Sequence, residues 1–142
     1  MSEWNNTARY AFDCVKKVTN EKNDKLNKNY KSYARSAPMY IKVNGLVNTI
    51  AFYNSKKEKE EEAYKFLLKH IEEYFSKEPV VDKLIKKNGK DFLDELCGLD
   101  TANYMLATER TLGLIGWLKR FAEGMIEDNN NSNSKNNNEN IE

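Results

Sequence analysis

Apolar residues recur at helical spacing through most of the chain. Thr7 is the predicted N-cap of a first helix, because threonine often caps helices and apolar side chains follow it at intervals of three and four up to Val18. The next segment, residues 24–37, is strongly amphipathic. Its apolar face holds Leu26, Tyr30, Tyr33, Ala34 and Ala37. We expect Pro38 to end this second helix, because the residue before a proline is driven away from the α region.

The stretch from 39 to 53 has two interpretations. Asn44-Gly45 between apolar and β-branched residues is typical of a β-hairpin. The alternative is a helix that starts after Pro38. We predict the helix, because no third strand pattern occurs and a lone hairpin is marginal in water. Its apolar face would hold Met39, Val43, Leu46, Val47 and Ile50, and its polar face Lys42, Gly45, Asn48 and Thr49.

The second half of the chain predicts four more helices. Helix-breaking residues end three of them, at Pro79, Gly89 and Gly98. The last helix begins with Asp100 as its N-cap and runs for about 27 residues, or about 40 Å. Its apolar side chains surround most of its circumference, which indicates a central helix. The exception is a polar strip that contains Glu109, Gly113, Gly116, Arg120 and Glu123.

These patterns predict an all-α protein with one compact helical bundle. We assign residues 1–127 to the helical domain, which ends in the long C-terminal helix. Residues 128–142 form an Asn-rich tail with nothing to bury, and we expect this tail to be disordered.

Cysteine content and the lack of long apolar runs predict a protein that stays in a reducing compartment and does not span a membrane. The two cysteines form no disulfide framework, the N-terminus lacks a signal-peptide pattern, and no apolar run approaches the roughly 18 residues of a membrane span. We therefore expect a cytoplasmic protein.

Charge is divided unevenly between the two halves. Residues 1–57 contain 11 Lys/Arg and 4 Asp/Glu, a balance of +7, and the remainder has a balance of −6 within a total of +1. This asymmetry indicates either an anionic partner for the first half or an internally balanced fold with solvated surfaces.

Candidate catalytic and metal-binding residues are sparse. His70, the only histidine, forms an i, i+3 pair with Glu73, but a metal site needs more ligands. Cys14 lies among apolar helix positions, and acids such as Asp91 at a helix start commonly complement the helix dipole. We expect no catalytic site, no metal and no cofactor.

A basic stripe is the clearest binding signal. Lys28, Lys31 and Arg35 lie opposite the apolar face of the second helix, where they could neutralise phosphates or form an ordinary solvated face. Tyrosines are interleaved with the basic residues, and we interpret them as core residues rather than base-stacking groups. Glycines on the predicted polar strips, Gly45, Gly113 and Gly116, would let a phosphate, a backbone or, most simply, another helix approach closely.

Three blocks together resemble the small subunit of the type III-B CRISPR effector, the Cmr complex. They are "RYAFDCV", "YKSYARSAPMYIKVNGLVNTIAFYNSK" at residues 30–56, and "YMLATERTLGLIGWLKRFAEG" at residues 104–124. The order and spacing of the blocks carry the resemblance over most of residues 8–126. The acidic segment 57–99 has no match, and the Asn-rich tail is not a family feature.

The resemblance implies an all-α, non-catalytic subunit whose copies stack along the effector filament. Its partners would be the other effector subunits, copies of itself, and the backbone of crRNA and target RNA. With the basic stripe, it leads us to predict RNA-backbone contacts from Lys28, Lys31, Arg35, Lys42, Lys119 and Arg120. The alternative is a purely protein-binding helical adaptor that makes no nucleic-acid contact.

Overall fold

Six helices make up the part of the chain that the computed structural model describes, residues 3–57, 62–77 and 91–127. They are α1 (Glu3–Asn20), α2 (Asp24–Asn44), α3 (Leu46–Lys57), α4 (Glu62–Lys77), α5 (Phe92–Cys97) and α6 (Thr101–Met125). These ranges contain no strand, so the all-α prediction is confirmed for them. The helix predicted before Gly89 and the Asn-rich tail lie outside the described residues.

The core lies where α2 and α6 meet the remaining helices. α6 packs against both α1 and α2, and α2 also packs against α3 and α4. One stripe of α6 is buried, formed by Ala107, Thr111, Leu114, Ile115, Leu118 and Ala122. Met105, on another side of the same helix, is 65% exposed, so α6 is buried along one side only. The hydrophobic effect selects this stripe from a helix whose apolar residues surround most of its circumference.

Two of the predicted helix ends agree with the structure. The Asp100 carboxylate accepts from the Asn103 N–H at 2.8 Å and caps α6, and Gly98 ends α5. The predicted N-cap at Thr7 is wrong, since α1 begins at Glu3. Thr7 lies inside the helix, where its hydroxyl shares a 3.0 Å hydrogen bond with the Tyr74 hydroxyl of α4.

The predicted helix end at Pro38 is also wrong. α2 continues through Pro38 to Asn44, although a proline inside a helix removes one hydrogen bond and costs about 3 kcal/mol. Ala37 and Ile41 on either side of the proline are both buried. Packing of this continuous apolar stripe, which runs from Leu26 to Ile41, offsets the cost of the proline.

The chain changes direction at Gly45, so Asn44-Gly45 is a junction between two helices and not a hairpin. Gly45 has φ 88° and ψ 161°, and its N–H donates to the Ile41 carbonyl at 2.8 Å, which closes α2. Its own carbonyl accepts from the N–H of Thr49 at 3.1 Å, which opens α3. The prediction of one helix across 39–53 is therefore wrong in its continuity.

The break at Gly45 also resets which residues face the core. Met39 and Val43, which we predicted to be apolar-face residues, are 66% and 70% exposed, whereas Thr49 on the predicted polar face is fully buried. Leu46 and Ile50 are buried as predicted. A single helical wheel cannot describe two helices that meet at an angle, so the predicted faces were correct only for part of the segment.

A buried polar network connects three helices through His70. The Tyr30 hydroxyl of α2 lies 2.8 Å from His70 Nδ1, and the Tyr10 hydroxyl of α1 donates to the His70 carbonyl at 2.6 Å. His70 is buried, and desolvation, helped by the charges of Lys17 and Lys69, lowers its pKa to about 4. The imidazole is therefore neutral at pH 7 and acts as a core hydrogen-bonding group.

Alanine at Gly45 and at Gly113 should change stability in opposite directions. Gly45→Ala should lower the free energy of unfolding by about 1–3 kcal/mol, because its φ and ψ suit glycine alone. Gly113→Ala should raise it by up to about 1 kcal/mol, since a Cβ there meets nothing within 4 Å and alanine favours helix. Urea denaturation of both variants measures the two effects, and changes of the same sign would contradict this account of the junction.

Acid should destabilise the fold through His70. Its folded pKa of about 4 lies below the ordinary value of 6.5, so the unfolded chain takes up the proton first. The free energy of unfolding should therefore fall as the pH drops from about 6.5 towards 4, by about 3 kcal/mol in full.

Urea denaturation at about pH 7 and pH 4.5 checks this expectation. His70→Gln should be less stable at neutral pH but should lose less stability on acidification, since glutamine does not titrate. Carboxylates titrate in both proteins, so the difference between them isolates the histidine. Equal losses would show that His70 does not govern the acid response.

Candidate nucleic-acid interface

Antiparallel packing of α2 and α6 builds the surface that carries the predicted basic residues. At one end, Lys31 Nζ donates to the Ile126 carbonyl at 3.1 Å. At the other end, the Tyr104 hydroxyl accepts from the Val47 N–H at 3.0 Å, beside Gly45. The chain therefore runs forward along α2 from Lys31 while the neighbouring residues run backward along α6 from Ile126 to Tyr104.

The six predicted RNA-contacting residues lie on these two helices, and we call this surface the α2–α6 face. Lys28, Lys31, Arg35 and Lys42 occur at intervals of three, four and seven on α2 and so share one side of it. Lys119 and Arg120 lie within one turn of Glu123, whose carboxylate is 3.5 Å from Arg35 Nε. That contact joins the two groups of cations on one side of the bundle.

Lys31 closes the end of α6 in addition to its place on the face. Lys31 is half-buried, and its ammonium hydrogen-bonds the Ile126 carbonyl just beyond the last helical residue. α6 has no basic residue in its own last turn, so Lys31 supplies the positive charge that complements the helix dipole there.

Two further cations on the face already make electrostatic contacts. The Arg120 guanidinium lies 5.8 Å from the Trp117 ring centroid. Arg35 forms an ion pair with Glu123, and both of these side chains are about half exposed. An ion pair with this exposure contributes little stability and can exchange partners. Lys28 and Lys42 are exposed, and Lys119 is half-buried.

The polar strip predicted on α6 is exposed and borders the same face. Glu109, Gly113, Arg120 and Glu123 are exposed, and Gly116 is half-buried. A Cβ at either glycine would meet nothing within 4 Å, so packing inside the described chain does not require them. For these two glycines, packing against the described helices is therefore not the explanation. Six cations and the carboxylates of Glu109 and Glu123 leave the face with a net positive charge.

The tyrosines of the basic half pack as we interpreted them. Tyr30 and Tyr53 are buried. Tyr33 stacks on Tyr64 of α4, with ring centroids 3.8 Å apart and planes inclined by 7°. Tyr40 stacks on Phe52 of α3 at 5.1 Å. These rings join α2 to α3 and α4. Helix packing therefore explains the positions of the tyrosines without a nucleic-acid base stacked on them.

The remaining candidate groups have structural partners. Burial raises the pKa of the Cys14 thiol to about 11, so this thiol stays protonated at neutral pH and is a poor nucleophile. Asp91 caps α5 by accepting from the Leu93 and Asp94 N–H groups.

Across the described ranges, no cluster of three His, Cys, Asp or Glu side chains is arranged to hold a metal ion. None of the described helices combines the length and apolar character of a bilayer span.

Comparison with known families gives a match that spans all of the described helices. A family model described as "CRISPR-associated protein (Cas_Cmr5)" matches residues 3–125. The matched region begins with α1 and ends with the last residue of α6, so it contains both helices of the α2–α6 face.

Proposed function

Because the chain belongs to the Cas_Cmr5 family of CRISPR-associated proteins, small subunits of the type III-B Cmr complex, we propose that it contacts the RNA backbone as a non-catalytic structural subunit. Membership implies association with the other Cmr subunits. Our proposal adds that copies of the chain stack along the effector filament in the cytoplasm and bind crRNA and target RNA without reading their sequence.

The observation that carries the proposal is the convergence of six cations from two helices onto the α2–α6 face. Lys28 and Lys42 are 14 residues apart on one helix, or about 21 Å. A stripe of that length faces several consecutive phosphates rather than one. Lysine and arginine bound to phosphates neutralise charge without distinguishing bases, so this face suits a subunit that holds any guide–target duplex.

Binding should be weak for an isolated copy and should depend steeply on salt. Single-stranded RNA should bind more tightly at about 50 mM than at about 200 mM salt, since binding releases condensed counterions. The variant K28Q/R35Q/K42Q should bind more weakly, and its slope of log K against log salt should fall by roughly 0.7 for each phosphate that is no longer neutralised. Lys31 is retained because it caps α6.

A control variant separates the face from general charge. K22Q/K65Q/K69Q removes the same charge from exposed lysines that lie on neither α2 nor α6. Fluorescence anisotropy with labelled RNA measures all three proteins. Equal weakening in the two variants would argue against this face, and no binding at the lower salt would argue against the proposal itself.

Glu123 provides a second test of the same face. Glu123→Gln releases Arg35 from its ion pair and should strengthen RNA binding by about threefold, the equivalent of a weak exposed pair. Glu109→Gln removes the same charge from the same strip, although Glu109 makes no ion pair with the described residues. Its effect should be smaller, and an equal effect would mean that Arg35 does not touch the RNA.

A protein-binding adaptor is the second candidate function, and one observation favours it. Met39, Val43 and Met105 are large apolar side chains that are at least 65% exposed. On this view M39Q/V43T should leave the free energy of unfolding unchanged but weaken co-purification with the other Cmr subunits. RNA should then bind at neither salt concentration. Unimpaired assembly of the variant would remove the support for this candidate.

A further inference from the structure

A second basic surface lies between α1 and α4 and shares no residue with the α2–α6 face. It is a cleft of about 250 Å³. Lys16, Lys17 and Asn20 of α1 and Lys77 of α4 line it, and Tyr10 and Cys14 form part of its wall. We propose that this cleft binds a phosphate group. The proposal does not depend on RNA contacts at the α2–α6 face.

The charge of the cleft is positive once its acidic neighbours are included. Asp13 is the one carboxylate among the described lining residues, and its Oδ1 lies 3.6 Å from Arg9 Nε. Glu73, the nearby acid on α4, lies 4.0 Å from Lys69 Nζ. Three lysines therefore face one carboxylate that already has a partner, and a concave wall concentrates the resulting positive potential.

The remaining wall of the cleft is uncharged. The Tyr10 hydroxyl donates to the His70 carbonyl, and burial raises its pKa well above the ordinary value. The Cys14 thiol is likewise protonated at neutral pH. An anion in the cleft therefore meets no negative group from these two side chains.

Lys77 is held above this neutral wall. Its Nζ lies 5.4 Å from the Tyr10 ring centroid, a cation–π distance that keeps the ammonium over the cleft. The Asn20 amide adds a neutral hydrogen-bond donor to the rim.

Helix dipoles account for part of this arrangement but not all of it. Lys17 and Lys77 lie in the last turns of α1 and α4, where a positive charge is favourable. That effect does not require the two helix ends to share one concavity, nor does it place Lys16 there. Three ammonium groups suit a phosphate, whose several oxygens accept hydrogen bonds together.

The size of the cleft restricts the ligand further. Its volume is below the roughly 300–1,000 Å³ typical of sites for drug-sized molecules, so a small group fits better than a whole nucleotide. Either free phosphate or one phosphodiester of an RNA strand would present this chemistry.

Titration with inorganic phosphate, followed by ¹H–¹⁵N NMR at constant ionic strength, tests the site directly. We expect saturable shifts in the amides of Tyr10 to Asn20 and Lys77. The variant K16Q/K17Q/K77Q should weaken the response at least about fivefold, whereas K22Q/K25Q/K65Q should leave it unchanged. The spectra also report folding, and K16Q alone, at an exposed position, serves if the triple variant is unfolded.

Non-saturating shifts, or equal weakening in the two triple variants, would overturn the proposal. Adding single-stranded RNA to the phosphate-loaded protein then separates the two sources. Displacement of phosphate from the cleft identifies an RNA phosphodiester as the ligand, and retention of phosphate identifies the free anion. Both results support the site, and neither depends on whether the α2–α6 face binds RNA.

Discussion

The turn at Gly45 is the constraint on which the rest of the bundle depends. Its positive φ lets α2 end and α3 begin without an intervening loop, and Tyr104 at the start of α6 accepts a hydrogen bond from the first turn of α3. This junction holds one end of α2 beside α6, and Lys31 holds the other end beside the last turn of α6. The two longest helices are therefore paired along most of their lengths, and that pairing creates the basic face.

A buried polar network makes the arrangement of α1, α2 and α4 specific. Apolar side chains stabilise any compact arrangement, whereas Tyr30, His70 and Tyr10 hydrogen-bond only when α1, α2 and α4 take one relative position. A slip of one helix would leave buried donors or acceptors without partners, which costs about 1–3 kcal/mol for each group. The network thus favours one register among several that would bury similar apolar area.

Electrostatics connects this architecture to the family's place in a CRISPR-associated complex. The chain is almost neutral overall, yet its helices collect cations on the α2–α6 face and again in the cleft between α1 and α4. Lys31 shows how structure and proposed binding share one residue, since its ammonium closes α6 and also lies within the basic stripe. A phosphate near Lys31 would either strengthen this interaction or compete with it, so the proposed RNA binding would be linked to the end of α6.

Hydrophobic periodicity determined the helical class, the long final helix and much of the core, and the local chemistry of Asp100 and Gly98 determined the two caps. All of these depend on neighbours within a few positions along the chain. Periodicity also showed that Lys28, Lys31 and Arg35 share a side of one helix. Tertiary structure alone decided that α2 passes through Pro38, that Met39 and Val43 face outward, and that Thr49 is buried.

The sequence contained a signal for the continuity of α2 across Pro38 and another for the break at Gly45. The stripe from Leu26 to Ile41 keeps its spacing across Pro38, and Asn44-Gly45 carries the glycine that a positive φ requires. Local rules predicted that Pro38 ends the helix despite the continuous apolar stripe. The packing energy that keeps α2 helical through Pro38 comes from helices distant in sequence, which local rules do not include. The meeting of Arg35 with Glu123 and the cleft between Lys17 and Lys77 had no such signal, since side chains 60 to 90 positions apart meet only once the bundle has folded.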